Sequence, residues 1–347
     1  MNKILSELKV FESIVGQDSA KRKLQFYLDS YLATRLMPHI MLIAPRGNGK
    51  TTFSKEIAKG LVKFDETHAM EKAESGKPKR KPFIEINCST IKNIKQFINS
   101  IVVPYVQDKD VTLLFDEASE LPHDVTMALL TILNPNPENR TTFAIDEYVC
   151  DFDFKRQTFI FATTEPQKVF HALLDRLERI ELEEYTPSQL AQIVQRGSKD
   201  IVYEGNVLEH IATVLRGNAR AAQKMAGNIL MYLKNKTQFN DNDWRKLRET
   251  LGIHPLGVTA VELQIMRYLS HSPDGTSLTA LSAKTGMSRE SLQKDCEIYL
   301  QKLGLMEIAT TGRKITAKGL MYLKELDGSI KVATLGVTTK KLDNRSR

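Results

Sequence analysis

The stretch that decides the fold is His39-Ile40-Met41-Leu42-Ile43-Ala44-Pro45-Arg46-Gly47-Asn48-Gly49-Lys50-Thr51-Thr52. Its apolar start is short and bounded by turn formers, which reads as a buried strand. After it Phe53, Ile57, Ala58 and Leu61 recur at helical spacing. A strand, a glycine-bearing loop and a helix containing Gly49-Lys50-Thr51 fit the phosphate-cradling pattern G-x-x-x-x-G-K-[ST], with Ala44 in place of the first glycine. The chemistry needs these residue types. Pro45, Arg46, Gly47, Asn48 and Gly49 form a loop that can curl its backbone around phosphates. The new helix, opening through Thr52, turns its positive end toward them. Lys50 supplies a cation and the Thr51 hydroxyl a Mg²⁺ ligand.

A second run, Val111-Thr112-Leu113-Leu114-Phe115, is also apolar and ends at Asp116-Glu117. Two acids closing a strand are by themselves ordinary solvated residues. Beside a phosphate loop they gain roles: Asp116 as a Mg²⁺ partner, and Glu117 as the carboxylate that polarises an attacking water. A third run, 158–162, leads into Thr163-Thr164, which can bring a hydroxyl toward a γ-phosphate, although a strand-end threonine is more often structural.

Outward from these motifs, strands alternate with helices. Residues 83–86 read as a strand, 94–103 as a helix, and Val125, Leu129, Leu130 and Leu133 mark another helix that Asn134-Pro135 stops. Residues 141–145 and 148–154 read as a hairpin turning at Asp146-Glu147. Alternation of this kind predicts an α/β fold with a parallel sheet covered on both faces. Residues 63–82, ending in Lys77-Pro78-Lys79-Arg80-Lys81-Pro82, read as a mobile surface loop. From 188 to 251 the pattern is helical throughout. The expected layout is a large α/β domain over 1–186, a helical lid over 187–252, a third domain over 253–326 and a basic, disordered tail over 327–347.

In the third domain, Val261, Ile265, Met266 and Leu269 give a first helix, 277–281 opens a second, and Ser288 caps a third with Leu292, Cys296, Tyr299 and Leu303 inward. That is helix-turn-helix spacing. Two wing strands are expected at 305–309 and 314–316, with Arg313 at the tip. Arg289 and Lys294 on the outward face of the third helix, and Arg313 and Lys314 on the wing, are the candidate DNA contacts, mostly to phosphates. The same fold also serves purely for protein contacts, and 255–326 is only mildly basic, with nine basic and seven acidic residues.

The formal net charge of +7 in 347 residues favours an anionic partner without requiring one. Three scattered cysteines lack metal-ligand spacing and suit a reducing compartment. The charged start lacks a signal-peptide core, and no apolar run reaches about 18 residues, so a cytoplasmic location is expected.

The ordered set of motifs resembles the AAA+ ATPases, and among them the bacterial RuvB branch-migration motors, over roughly 10–326. The marks are Phe11–Gln17 before the first helix, the phosphate loop, Phe115-Asp116-Glu117, Phe161-Ala162-Thr163-Thr164, Leu174-Asp175-Arg176-Leu177, Gly217-Asn218-Ala219-Arg220 and the winged helix. The resemblance implies Val15 and Gly16 near the adenine, Thr163 or Thr164 as sensor 1, and Arg220 as sensor 2. It also implies Arg176 as a finger reaching a neighbour's site in a hexameric ring, where a surface salt bridge to Asp175 or Glu178 is the simpler role. The sequence departs from RuvB in having Glu165 after the threonines, one fewer arginine at the finger, and Asp146-Glu147 at a hairpin tip that is apolar in the family and docks RuvA. ATP, Mg²⁺, branched DNA and a ring of identical subunits are the implied ligands and partners. The alternatives are a clamp-loader or helicase-loader subunit, which would be expected to carry a Ser-Arg-Cys finger and a helical collar, and an ATP-responsive DNA-binding regulator.

Overall fold

The structure is a computed structural model that describes residues 10–328. Of the tail expected to be disordered over 327–347, residues 327–328 are helical, and the remainder, 329–347, lies outside the described residues together with the charged entry at 1–9. Contacts divide the chain into two compact units, one ending at Asp241 and one starting at Asn242. The lid expected over 187–252 therefore does not separate from the α/β domain, and its last helix, Asp241–Thr250, goes almost wholly with the second unit.

The first unit is built on five parallel strands: β1 (Ile40–Ile43), β2 (Phe83–Asn87), β3 (Val111–Asp116), β6 (Gln157–Thr163) and β7 (Glu178–Glu181), in the order β2-β3-β6-β1-β7. β3 and β6 are buried along almost their whole length, which is why they read as unbroken apolar runs rather than as alternations. One face of the sheet holds a core with Phe97, Phe115, Phe159 and Phe161, in which Phe115 and Phe161 stack at 4.9 Å. The other face packs Leu24, Leu28 and Tyr31 of helix α1 (Asp18–Thr34) and Phe53 and Ile57 of helix α2 (Lys50–Gly60). Strand β1, between β6 and the edge strand β7, hands the chain to the phosphate loop at the sheet's carboxyl edge, beside the ends of β3 and β6. The antiparallel pair β4 (Arg140–Ile145) and β5 (Tyr148–Asp153) forms the expected hairpin, and Asp146 at its turn pairs with Lys95.

Residues 63–82 differ from the expected mobile loop. Their backbone folds on itself in two nested turns, with Lys63 N–H donating to Lys79 O, Glu71 N–H to Lys63 O and Ala73 N–H to Lys77 O, each within 2.9 Å. Phe64 and Met70 pack on the α1 side of the core, which the run of charges concealed. The lid region is not helical throughout either: β8 (Val202–Tyr203) pairs in parallel with β9 (Gln238–Phe239).

The second unit carries helices Ala260–Ser270 and Leu278–Thr285, a helical stretch over 289–302, wing strands β10 (Met306–Ala309) and β11 (Gly312–Ile315), and a closing helix over 317–328. Ser277 and Ser288 accept from the backbone N–H groups of Ala280 and Ser291, capping the second and third helices. The turn of the wing is Thr310-Thr311, so Arg313 lies within a strand rather than at the tip. The third helix widens to a π-helical turn over Leu292–Glu297; Leu300 is fully buried beside it, Leu303 packs against the core as expected, Tyr299 is only half-buried, and Glu297 is buried too.

Candidate active site

A cleft of about 510 Å³ collects most of the expected site residues. Gly47 and Gly49 lie in the left-handed region, at φ +84° and +91°, where a side chain is strained; a Cβ on Gly47 would also stand 2.6 Å from the Asn218 amide. Ala44 does not share that backbone conformation and simply continues β1, with its N–H facing Thr163 O at 3.4 Å, so the missing first glycine costs the loop nothing. Lys50 Nζ donates to Ala44 O at 2.8 Å. Burial lowers its pKa, and Asp116 pulls the other way. Arg46, Thr51 and Thr52 line the same cleft, whereas Asn48 is buried beneath the loop and Pro45 is exposed outside the lining.

Asp116 and Glu117 enter from the end of β3, and Thr163 and Thr164 from the end of neighbouring β6. Glu117 is held at φ 56°, ψ 48°, a left-handed backbone that costs a non-glycine residue about 1–3 kcal/mol. That distortion swings the Glu117 side chain off the line of the strand, while its N–H donates to Asp116 Oδ1 at 3.1 Å. Thr163 is buried and its Oγ1 accepts from Glu165 N–H at 3.0 Å; Thr164 is the exposed member of the pair.

The lid closes the cleft from above. Arg220 lines it, and its backbone N–H donates to Gly47 O at 3.0 Å; Asn218 Nδ2 donates to Arg46 O at 2.8 Å. Val15 lines the opposite end with Ser13 and Ile14, while Gly16 packs just behind them against Gln189. Tyr185, Ile193, Arg196 and Gln223 also face the cleft. Sequence reasoning missed them because they carry no motif: Ile193 reads as a core position of its helix, and Arg196 as a solvated charge.

Arg176 lies outside the lining of its own chain's cleft. Its guanidinium is not idle: Nε donates to Leu130 O at 3.0 Å and Nη1 to Ala172 O at 2.7 Å, stitching together two short helix ends. The expected salt bridge to Asp175 or Glu178 is absent among the described contacts; Asp175 pairs instead with His171 and Arg179.

On the winged helix the expected phosphate contacts part company. Arg289 is exposed at the start of the third helix and Lys294 is exposed but paired with Glu290 at 2.9 Å. Lys314 is half-buried against Gly275. Arg313 corrects the expectation: Nε and Nη2 donate to the two carboxylate oxygens of Glu297 at 2.8 and 3.1 Å, and the side chains are only 14% and 4% exposed. Those nitrogens are committed to an internal pair. The widened helical turn that buries Glu297 is what draws the guanidinium inward.

The class that this fold and cleft define is that of the AAA ATPases, and residues 40–186 match the AAA family, described as ATPases associated with various cellular activities. Residues 255–324 match the RuvB C-terminal winged helix domain. The chain thus carries an AAA domain followed by a RuvB-type winged helix, the two domains whose descriptions it matches. A curated relative, the Holliday junction branch migration complex subunit RuvB of Ehrlichia canis, is 25% identical over 335 residues, covering 91% of this chain and 92% of its own. The same-named subunit of Thermotoga petrophila is also 25% identical, over 332 residues and 91% of each chain. Among solved structures, the RuvB Holliday junction branch migration motor of Thermotoga maritima superposes with a TM-score of 0.68 at 21% identity, covering 89% of this chain and 95% of that one. At that identity the likeness shows the fold alone.

Proposed function

We propose that this chain is an ATP-driven motor subunit that works as part of a homo-oligomeric ring on branched DNA, driving branch migration. The observation that carries the reading is the pairing, in one chain, of a complete phosphate-side cleft with a RuvB-type winged helix.

ATP enters the cleft as substrate. The Gly47 and Gly49 backbone leaves room for phosphates and Lys50 offsets their charge. Thr51 and Asp116 supply hard oxygen donors, and no cluster of three or more metal-ligating side chains occurs among the described residues. That donor set fits Mg²⁺, which binds through one or two protein oxygens plus substrate phosphates. When bound, it would neutralise phosphate charge. Glu117 takes the proton of the attacking water, with Thr163 or Thr164 beside it and Arg220 reaching down from the lid. Arg176 completes a neighbour's site, which makes turnover depend on assembly. A finger of this kind is worth about 10³–10⁵ in rate in related NTPases.

The winged helix supplies the DNA grip, with Arg289, Lys294 and Lys314 left to meet phosphates once Arg313 is assigned to the interior. The domain layout supported by this reading keeps the lid over 187–240 as the moving part of the first unit. A RuvA-like partner would meet an acidic hairpin tip, and the apolar residues Phe143, Ile145 and Tyr148 are turned to the core, so its docking surface would differ from that of RuvB. No described helix is long and apolar enough to cross a membrane.

The test is ATP turnover without DNA, with duplex and with a four-way junction, run beside a strand-exchange assay. Junction-stimulated turnover with branch migration is expected. Turnover stimulated by a protein partner alone, with no strand exchange, would replace the motor with a loader.

A further inference from the structure

The short strap 11–17 is tied at both ends to parts that meet the nucleotide. On the phosphate side, Glu56 of α2 is 4% exposed and accepts from Phe11 N–H at 3.0 Å and from Ser13 Oγ at 2.8 Å. On the lid side, the Gln17 amide makes a matched pair with the backbone of Glu183. Its Nε2 donates to Glu183 O at 2.7 Å, and its Oε1 accepts from Glu183 N–H at 2.9 Å. Glu183 opens the segment 183–186 that joins the sheet to the first lid helix, Pro187–Gly197.

Gln17 stands at the N-terminal end of α1, where a side chain ordinarily caps the helix; here it makes no capping bond. It is buried, and both it and Gly16 hold left-handed backbones, at φ 59° and 58°. A Cβ on Gly16 would fall 2.3 Å from Gln189 Nε2, and Gln189 closes the capping box of that same lid helix with Thr186. Further along the helix, Arg196 Nη1 donates to Glu12 O at 3.1 Å. Ser13, Ile14 and Val15 face the cleft from the strap, and Ile193 and Arg196 face it from the lid. A buried amide that gives up its local cap to grip a hinge backbone on both sides fixes the strap and hinge as one body.

We infer that Gln17 is a positioning residue of the ATPase: it holds the base-facing strap and the lid hinge at one spacing, so that nucleotide entering between them draws the lid, and Arg220 with it, onto the phosphates. The inference rests on the nucleotide-site reading and not on branch migration. Uncoupling strap from hinge weakens binding and lid closure while leaving Lys50 and Glu117 in place. The cost therefore falls on KM rather than kcat.

The experiment compares the full chain with Gln17→Ala and Gln17→Glu, measuring binding of a fluorescent ATP analogue, steady-state ATPase kinetics, and amide hydrogen exchange over 187–197 with and without the analogue. Gln17→Ala is expected to raise KM about tenfold with kcat within about twofold, and to abolish nucleotide-induced protection of 187–197. Gln17→Glu, which can accept from Glu183 N–H but cannot donate to Glu183 O, is expected to fall between. Should Gln17→Ala fail to fold, Gln17→Met keeps length and burial without either bond. Unchanged KM and unchanged protection in a folded variant, with only a lower melting temperature, would show packing and overturn the inference. A wild-type chain that does not bind the analogue would sink the site and the strap together. Normal wild-type binding matched by Gln17→Ala sinks the strap alone.

Discussion

Replacing Arg313 with alanine separates two roles that the sequence could not tell apart. If the guanidinium were a phosphate contact, its loss would leave the fold alone and lower the salt slope of DNA binding by about one unit. The structure assigns it instead to Glu297, through two hydrogen bonds and with a carboxylate only 4% exposed. Removing one partner of a buried pair leaves the other charged and uncompensated, at a cost of about 3–5 kcal/mol. With a urea m-value of about 2 kcal/mol/M, that moves the unfolding midpoint of the second unit down by roughly 2 M. Tyr322, buried in the core of that unit, reports the transition by near-UV circular dichroism. The double replacement Arg313→Met with Glu297→Leu should recover most of the loss, because a well-packed apolar pair substitutes for a buried ionic one. A midpoint in Arg313→Ala within about 0.3 M of wild type, together with a salt slope lower by one, would refute the internal-strut assignment and restore the wing contact.

Three further outcomes are expected. Glu117→Gln should bind ATP normally and lower turnover by at least about 10²-fold, since it removes the base while keeping side-chain shape; turnover within threefold of wild type would move the base elsewhere. Arg176→Ala should abolish assembled turnover and also lower the melting temperature, because its bonds to Leu130 O and Ala172 O are lost. If Arg179→Ala, whose guanidinium has a 3.5 Å contact to Asp175, stops turnover and Arg176→Ala does not, the finger is Arg179. Lys81 is 3% exposed, donates to Lys155 O at 3.0 Å and lies over the Tyr31 ring. Burial lowers its pKa from the ordinary 10.5 to about 7. The unfolded chain then binds this proton more tightly than the folded one, so stability rises with pH between about 7 and 10.5, and the full penalty is present below 7. Lys81→Met should therefore stabilise the protein by on the order of 2 kcal/mol at pH 6.5 or so and by less at about 9.5, read by thermal melts; an equal effect at both would contradict it.

The fold's central layer was legible because its physics is local. Strands β1, β3 and β6 are buried on both faces and so are written as plain apolar runs, each closing on residues whose chemistry has one good use: Lys50 and Thr51, Asp116 and Glu117, Thr163 and Thr164. Edge strand β7, only four residues long with the polar sequence Glu-Arg-Ile-Glu, went unseen, because an edge needs one buried residue, Ile180, and solvates the rest. The fold of 63–82 escaped for a related reason: its turns are held by backbone hydrogen bonds, to which the dense charges on the side chains give no clue.

The site divides in the same way. Motifs written in consecutive residues named the phosphate end, since a loop that wraps phosphates is short and its glycines and lysine must be neighbours in the chain. The base end and lid are assembled from residues far apart, as Gln17 and Glu183 are, and such a contact leaves no trace in either segment alone. Arg313 is the plainest case. Its sequence neighbours place it on a wing, where an arginine commonly meets phosphate. Only the burial of Glu297 by a widened helical turn, a feature of three-dimensional packing, decides that the charge faces inward.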